Sequence, residues 1–572
     1  MRFQPVYDIA ELCAKKNITD AVLCPGSRCA RLTLAFTRHP AIRTRTFSDE
    51  RSAGFIAMGM AQVSNAPVAV ICTSGTAVFN LAPSVAEAFF SETPLIILTA
   101  DRPTEWIAQH DGQTLFQHGI FGKHVKRSFQ LPQDYDHADS RWEINRIVNE
   151  AINLSRQEPR GPVHINAPFR EPLYPEPDEK VTFSAGLRVI DDLESATVPG
   201  AEQRGFIADS WPSFNKVLVV AGQDCRTTPL SRSLSAFIAK HHVPFIADII
   251  ANQHMVEPAP IQHADLFLGQ ASDELKNSLK PDLLITFGQS LISKNVKIFL
   301  RKFSPRAHWH IQIGGIAADT FKNTTAVLHS TPESIFDFLT TLNPVSGATQ
   351  KNHYRDHWAS LEQRTNSCLV NFLGAGSIGE LGIVNAVIEG LPAECNLHLA
   401  NSMSVRHANL VGLSAAQQGV RVFPNRGTSG IDGCTSTSVG QHLASGKPTF
   451  LITGDLAFFY DRNAFWHNYA LPGLRILLLN NHGGLIFNMI DGPASVPEAK
   501  EYFITRQSLN ARKLCEEFQF DHLNVNDAGD VQKSLREFFK FDGRTKILEF
   551  ESDVDANRSI FDRLKQKIKS EL

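Results

Sequence analysis

No apolar run in this sequence is long enough to cross a bilayer, and the opening residues, MRFQPVYDIAELCAKKN, lack the apolar centre of a secretory leader. Neither export nor membrane spanning is expected, and the location expected is the cytoplasm. Basic tracts are missing too. The 56 lysines and arginines balance 59 acids to a formal charge of -3 and lie scattered, which argues against a nucleic-acid partner. The nine cysteines are odd in number and show no CxxC pair or zinc-ligand spacing, so they read as reduced thiols rather than a disulfide framework. Short internal repeats are absent.

What is present is ordinary globular composition, 43% hydrophobic and 20% charged, so the whole chain is expected to fold. Its length exceeds what one hydrophobic core can serve and suggests roughly three or four compact units. Short runs rich in Val, Ile and Leu recur between longer amphipathic stretches: DAVLCPG, PVAVICTSG, TPLIILTADRP, GPVHINAP, KVLVVAGQD, VPFIADII, DLLITFGQS, PTFLITGD, LRILLLNNHGG and TKILEFESD. Runs of this kind, ended by Gly, Pro, Asp or Asn, suit strands buried on both faces. The fold class is α/β, with three doubly wound domains built on mainly parallel sheets. A proline and acid cluster at 171–182 and a second break in the apolar rhythm at 341–352, TLNPVSGATQKN, read as linkers, which places the domains at 1–182, 183–348 and 349–572.

The strongest local signal is the run TFLIT entering Gly454, Asp455 and Leu456, followed by the helical stretch AFFYDRNAFWHN. One helix and one strand later, LRILLLNN ends at Asn481, with His482, Gly483 and Gly484 behind it. Strands returning to one sheet edge would bring the Asp455 carboxylate beside the Asn481 amide oxygen. Two such oxygens suit magnesium, which keeps water and phosphate oxygens as its other ligands. His482 reads as a turn residue.

A second element lies in TRTFSDERSAGF, where Glu50 follows a strand-like segment and precedes the helical AGFIAMGMAQ. A third is the loop NRGTSGIDG, leading into a small-residue helix start, CTSTSVG, whose amides could meet a phosphate.

Together these motifs resemble those of the thiamine-diphosphate enzymes. In that resemblance Asp455 and Asn481 bind Mg2+ or Mn2+ through their side chains and Gly483 through its carbonyl. Leu456, Asp432 and Ile486 adjoin the cofactor, and Ile431 is the apolar wedge that bends it. Glu50 is the acid that hydrogen-bonds the aminopyrimidine and activates the cofactor; if buried, it should have a raised pKa. The third glycine of the usual metal motif is replaced by Leu456, as in the isochorismate-using branch.

Polar residues beside the motifs point the same way. Ser27, Arg28, Arg102, Gln113, Lys294, Ser402, Arg406 and Arg426 offer cations and donors of the kind needed to grip dicarboxylates. By resemblance to that branch, Ser27, Arg28, Arg102, Gln113 and Lys294 face isochorismate. Ser402, Arg406 and Arg426 hold the distal carboxylate of 2-oxoglutarate, and Ile486 and Phe487 form an apolar wall. Gly112 and Asn295 depart from the pattern of some relatives, which carry Asn and a basic residue there. The resemblance implies a carboligase of menaquinone biosynthesis, assembled as a homodimer or homotetramer with sites between subunits. Two readings stay open beside it: another thiamine-dependent carboligase or 2-oxoacid decarboxylase, and a non-catalytic cofactor-binding paralogue.

Overall fold

The computed structural model describes residues 3–176, 180–193, 197–343, 348–375, 379–489, 495–525 and 528–572. The first sheet has six strands in the order β2-β1-β3-β4-β6-β5. They are β1 (Asp20–Leu23), β2 (Arg43–Thr46), β3 (Val68–Cys72), β4 (Leu95–Asp101), β5 (Ser128–Gln130) and β6 (Val163–Pro168). The second sheet, ordered β11-β10-β9-β7-β8, comprises β7 (Val217–Ala221), β8 (Phe245–Ala247), β9 (Leu283–Phe287), β10 (Ala307–Gln312) and β11 (Ala326–His329). The third contains β12 (Glu394–Leu399), β13 (Gly419–Pro424), β14 (Thr449–Gly454), β15 (Leu474–Asn480), β16 (Asp521–Val525) and β17 (Lys546–Glu551). Its order, β13-β12-β14-β15-β17-β16, repeats that of the first sheet strand for strand. Every pairing in all three is parallel.

Alternate side chains along each central strand enter different cores, as the two-residue period of a strand requires. Val22, Val70 and Ile97 face one core of the first sheet, while Leu23, Ile71 and Ile96 face the other. The first of these cores does not stop at its own sheet. It continues through Leu451, Ile476, Leu478 and Ile547 of the third sheet, so the first and third sheets share one apolar interior.

Two helices cross inside that shared core, Glu50–Ser64 and Cys434–Ser445, and glycines set how closely they approach. A Cβ on Gly59 would lie 2.0 Å from the Thr437 carbonyl oxygen, and one on Gly440 2.0 Å from that of Ile56. No side chain fits at either point.

The stretch expected to be one helix after Asp455 is broken. A helix covers Asp455–Tyr460 and a 3-10 turn covers Arg462–Phe465, with Asp461 between them. Asp461 is drawn out to cap another helix: its carboxylate accepts Ser436 N at 2.6 Å and Ser436 Oγ at 2.7 Å. Of the two segments read as linkers, 177–179 and 344–347 lie outside the described residues, and the helix Ala348–Gly374 begins within the second. All nine cysteines are free thiols, eight of them buried. Among the described residues no helix is long and apolar enough to cross a membrane.

Candidate active site

In both six-stranded sheets the loops at the carboxyl ends of the strands carry the motif residues, the position where open parallel sheets bind ligands. Asp455 opens the helix that follows β14, and Asn481 follows β15, which pairs directly with β14. The Asp455 carboxylate is buried, and burial pushes its pKa up to about 6, opposed by a 2.6 Å hydrogen bond from Gln507 Nε2. The Asn481 amide is oriented from its nitrogen end: Nδ2 donates to Glu380 Oε1 at 2.6 Å. Its Oδ1 is then left buried with no hydrogen-bond partner. An orphaned amide oxygen next to a destabilised carboxylate fits a divalent cation, which would satisfy both at once.

His482 adopts φ +60° in the turn that carries Asn481. Gly483 and Gly484 are needed because the segment Ala499–Ile504 passes over them. A Cβ on Gly483 would meet Ile504 at 2.8 Å, and Gly484 N donates to the Ile504 carbonyl at 2.6 Å. The Gly483 carbonyl accepts Leu485 N at 3.1 Å. Ile486 and Phe487, just after this turn, are half-buried, as is Leu456 beside Asp455.

Asn401, after β12, knits the neighbouring loops together. Its Nδ2 donates to the Asn425 and Gly430 carbonyls, both at 2.6 Å, and its Oδ1 accepts Arg426 Nη1 at 3.2 Å. Glu87 clamps the same loop from the first sheet's side, accepting Gly427 N, Thr428 N and Thr428 Oγ1, each at 2.7 Å. Ile431 and Asp432 stand half-buried at its tip. The helix start beyond the loop, expected to offer its amides to a phosphate, has already given Ser436 N to Asp461.

Ser402 takes φ +70°, an unusual conformation for a side-chain-bearing residue, and its carbonyl accepts Arg406 Nη1 at 2.6 Å. Burial and the neighbouring Arg426 lower the Arg406 pKa, and burial likewise lowers that of Arg426, whose Nε is buried without a partner. Two desolvated guanidinium groups, one of them raising the cost of the other's charge, suit an anion between them.

Glu50 begins its helix with Asp49 as the cap, accepting Arg51 N and Ser52 N. Glu50 is half-buried rather than buried, and its Oε2 accepts Asn80 Nδ2 at 3.2 Å. It lines a cavity of about 560 Å³ together with Thr73, Ser74, Asn80 and Gln113, and all of the lining residues fall between Pro25 and Leu115. Gln113, at φ +58°, is thus brought to Glu50.

The other isochorismate candidates are spread more widely. Ser27 is exposed. Arg28 is buried, with Nη1 donating to the Phe169 carbonyl at 3.0 Å. Arg102 Nη2 donates to the Gly112 carbonyl at 2.9 Å, and Nη1 lies 3.2 Å from Asp111. Lys294 is exposed at the start of the helix Lys294–Lys302. Glu380, Gln507, Asn401 and Glu87 were not found from the sequence. Each reaches its partner across a long separation, 101 residues for Glu380 and Asn481, and no local motif marks it.

Two parallel sheets of one strand order, a half-buried acid after β2 of one and an acid–amide pair at strand ends of the other, make up the architecture of thiamine-diphosphate enzymes. Family models agree. Residues 7–120 match the thiamine pyrophosphate enzyme N-terminal TPP binding domain, and residues 206–399 match the middle domain of thiamine pyrophosphate enzymes. Among curated relatives, the 2-succinyl-5-enolpyruvyl-6-hydroxy-3-cyclohexene-1-carboxylate synthase of Cytophaga hutchinsonii is 41% identical over 566 residues, covering 99% of both chains. Those of Bacteroides thetaiotaomicron and Phocaeicola vulgatus are 35% and 34% identical, covering 93% and 98% of this chain and 92% and 98% of their own. The chain belongs to the 2-succinyl-5-enolpyruvyl-6-hydroxy-3-cyclohexene-1-carboxylate synthase family and is a thiamine-diphosphate-dependent transferase.

Proposed function

We propose that this carboligase takes the succinyl unit of 2-oxoglutarate, with loss of carbon dioxide, and adds it to the ring alkene of isochorismate, with the residues above in the following roles. The observation that carries the reading is the pair Arg406 and Arg426, desolvated and without a carboxylate partner among the described residues. Acetolactate-forming or simple decarboxylating relatives, with smaller and less charged substrates, have no use for such a pair.

Thiamine diphosphate, when bound, supplies the nucleophile and the electron sink for decarboxylation. Asp455, Asn481 and the Gly483 carbonyl hold Mg2+ or Mn2+, while Glu380 and Gln507 keep the first two aimed. Leu456, Ile486, Ile431 and Asp432 line the cofactor, Ile431 as the apolar wedge. Glu50 holds and returns a proton at the aminopyrimidine nitrogen. Ser402, Arg406 and Arg426 bind the distal carboxylate of 2-oxoglutarate, and Phe487 excludes water beside it. Ser27, Arg28, Arg102, Gln113 and Lys294 receive isochorismate, and Asp111 and Gly112 hold Arg102 in place for this. The protein's contribution is orientation and charge complementarity in a desolvated site.

The Glu50 cavity is lined only by loop and helix residues around the first sheet, which supports a site completed by the third sheet of a second subunit, in a homodimer or a dimer of dimers. The cytoplasm suits a reaction between two soluble carboxylates.

The two substrates make the arginines separable. Arg406→Ala should weaken use of 2-oxoglutarate about ten- to a hundredfold, the worth of a charge-assisted hydrogen bond. Arg102→Ala should raise the isochorismate requirement and leave carbon dioxide release from 2-oxoglutarate alone nearly unchanged. Equal loss of that release in both variants would contradict the assignment.

A further inference from the structure

Behind the turn that touches the Arg426 loop lies a third cation that no motif marked. The helix Lys294–Lys302 starts just after β9, and its preceding turn touches the arginine loop, with Ser290 Oγ donating to the Arg426 carbonyl at 3.4 Å. Lys297 folds back onto this turn, its Nζ donating to the Leu291 carbonyl at 3.0 Å. That is one bond for an ammonium with three donors.

The acids nearby are engaged elsewhere. Asp248 accepts Ile292 N at 2.5 Å, Ser293 N at 3.1 Å, Ser293 Oγ at 2.5 Å and Asn409 Nδ2 at 3.2 Å. Asp265 Oδ1 accepts Asn295 N at 2.6 Å, and the Asp265 carbonyl accepts Asn295 Nδ2 at 2.9 Å. Asn295, which replaces the basic residue of some relatives, is therefore tied into the scaffold through its backbone and its Nδ2. Among the described residues none of Lys297, Arg406 and Arg426 forms an ion pair. Burial lowers the Lys297 pKa, and Arg426 and Arg406 push it the same way, against Asp248. Asp248, Glu87 and Asp265 act on these three cations only through space and pair with none of them among the described residues, which leaves the cluster suited to an anion.

We propose that Lys297 is a specificity-determining residue, the third cation holding the distal carboxylate of the 2-oxoacid substrate beside Arg406 and Arg426. Lys294 and Lys297 sit three residues apart, on one face of their helix, so two neighbouring lysines serve different substrates. Lys294, exposed at the helix start, is left to isochorismate. Lys297, half-buried and bonded to the turn that touches the arginine loop, serves the oxoacid.

The inference rests on the functional reading above, and the test separates the two. With thiamine diphosphate, magnesium and saturating isochorismate, wild-type enzyme is titrated with 2-oxoglutarate and with 2-oxobutyrate, which has no distal carboxylate. Lys297→Gln should raise the KM for 2-oxoglutarate about tenfold, the lower end for one charge-assisted bond, with kcat within a few-fold. The KM for isochorismate and the turnover of 2-oxobutyrate should not move, and Lys297→Arg should restore most of the loss. Lys297→Met, which keeps the apolar stem, should match Lys297→Gln and melt with wild type. An unchanged KM for 2-oxoglutarate, a rise for isochorismate instead, or an Arg variant as impaired as Gln would overturn the role of Lys297. Failure of wild-type enzyme to use 2-oxoglutarate at all would overturn the functional reading itself.

Discussion

The residues proposed to hold the cofactor lie where strands end, and this is why the sequence exposes them. Asp455 and Asn481 each close an apolar run, and turn glycines follow Asn481, so spacing and chemistry coincide over a short window. Their supports, Glu380 and Gln507, could not be read in this way: each is one polar residue in an unremarkable helix or loop, given meaning only by folding. Asp455→Ala should weaken metal-dependent cofactor binding by at least the roughly 10–100-fold that loss of an outer-shell partner costs. Unchanged affinity in a cofactor titration against magnesium would refute the metal assignment. Glu50→Gln keeps shape and hydrogen bonding to Asn80 but cannot exchange a proton. Turnover should fall by at least about 100-fold, the usual lower bound for lost acid–base catalysis, with cofactor affinity little changed. Turnover within a few-fold of wild type would remove Glu50 from the mechanism.

At the scale of elements, every apolar run singled out in the sequence is a strand, and the strands left unremarked went unseen for two reasons. β5, β11, β13 and β16 are edge strands, each short or interrupted by polar residues such as Arg421, and so lack a continuous apolar signal. β10 and β12 are central but carry histidines inside the run, His308 and His310 in one and His398 in the other, each buried with a hydrogen bond. Helix contacts were invisible too: nothing local marks Gly59 and Gly440 as points where two helix backbones meet. Gly440→Ala gains helix propensity worth up to about 1 kcal/mol but places a Cβ on a backbone oxygen that cannot withdraw, and overpacking of that kind costs roughly 1–3 kcal/mol or more. The melting temperature should fall. Gly205, inside the helix Ala201–Ser210, has nothing within 4 Å of its missing Cβ, so Gly205→Ala should stabilise by up to about 1 kcal/mol. The same sign for both changes in a melting experiment would contradict the helix crossing.

For the whole molecule, the repeated strand order of the first and third sheets gives two related halves, one bearing Glu50 and the other Asp455 and Asn481. The sequence showed the α/β class but not this identity of topology, because strand order is a property of crossovers and leaves no trace in local composition. If each site joins Glu50 of one subunit to Asp455 of another, two inactive variants should complement. Glu50→Gln and Asp455→Ala subunits, unfolded together and refolded as a one-to-one mixture, should recover about a quarter of wild-type activity, since half of random dimers are mixed and each has one intact site. No recovery, with mixed dimers present by mass, would place both residues in one chain's site.

The central claim is that the two anion sites serve one reaction, and the product tests it most directly. Purified enzyme is incubated with isochorismate, 2-oxoglutarate, thiamine diphosphate and magnesium, and the products are weighed by mass spectrometry. The account predicts a single adduct equal to isochorismate plus 2-oxoglutarate less carbon dioxide, retaining the enolpyruvyl group, and formed only when both acids are present. Carbon dioxide and succinic semialdehyde with isochorismate left intact, or an adduct formed equally well from pyruvate, would contradict it.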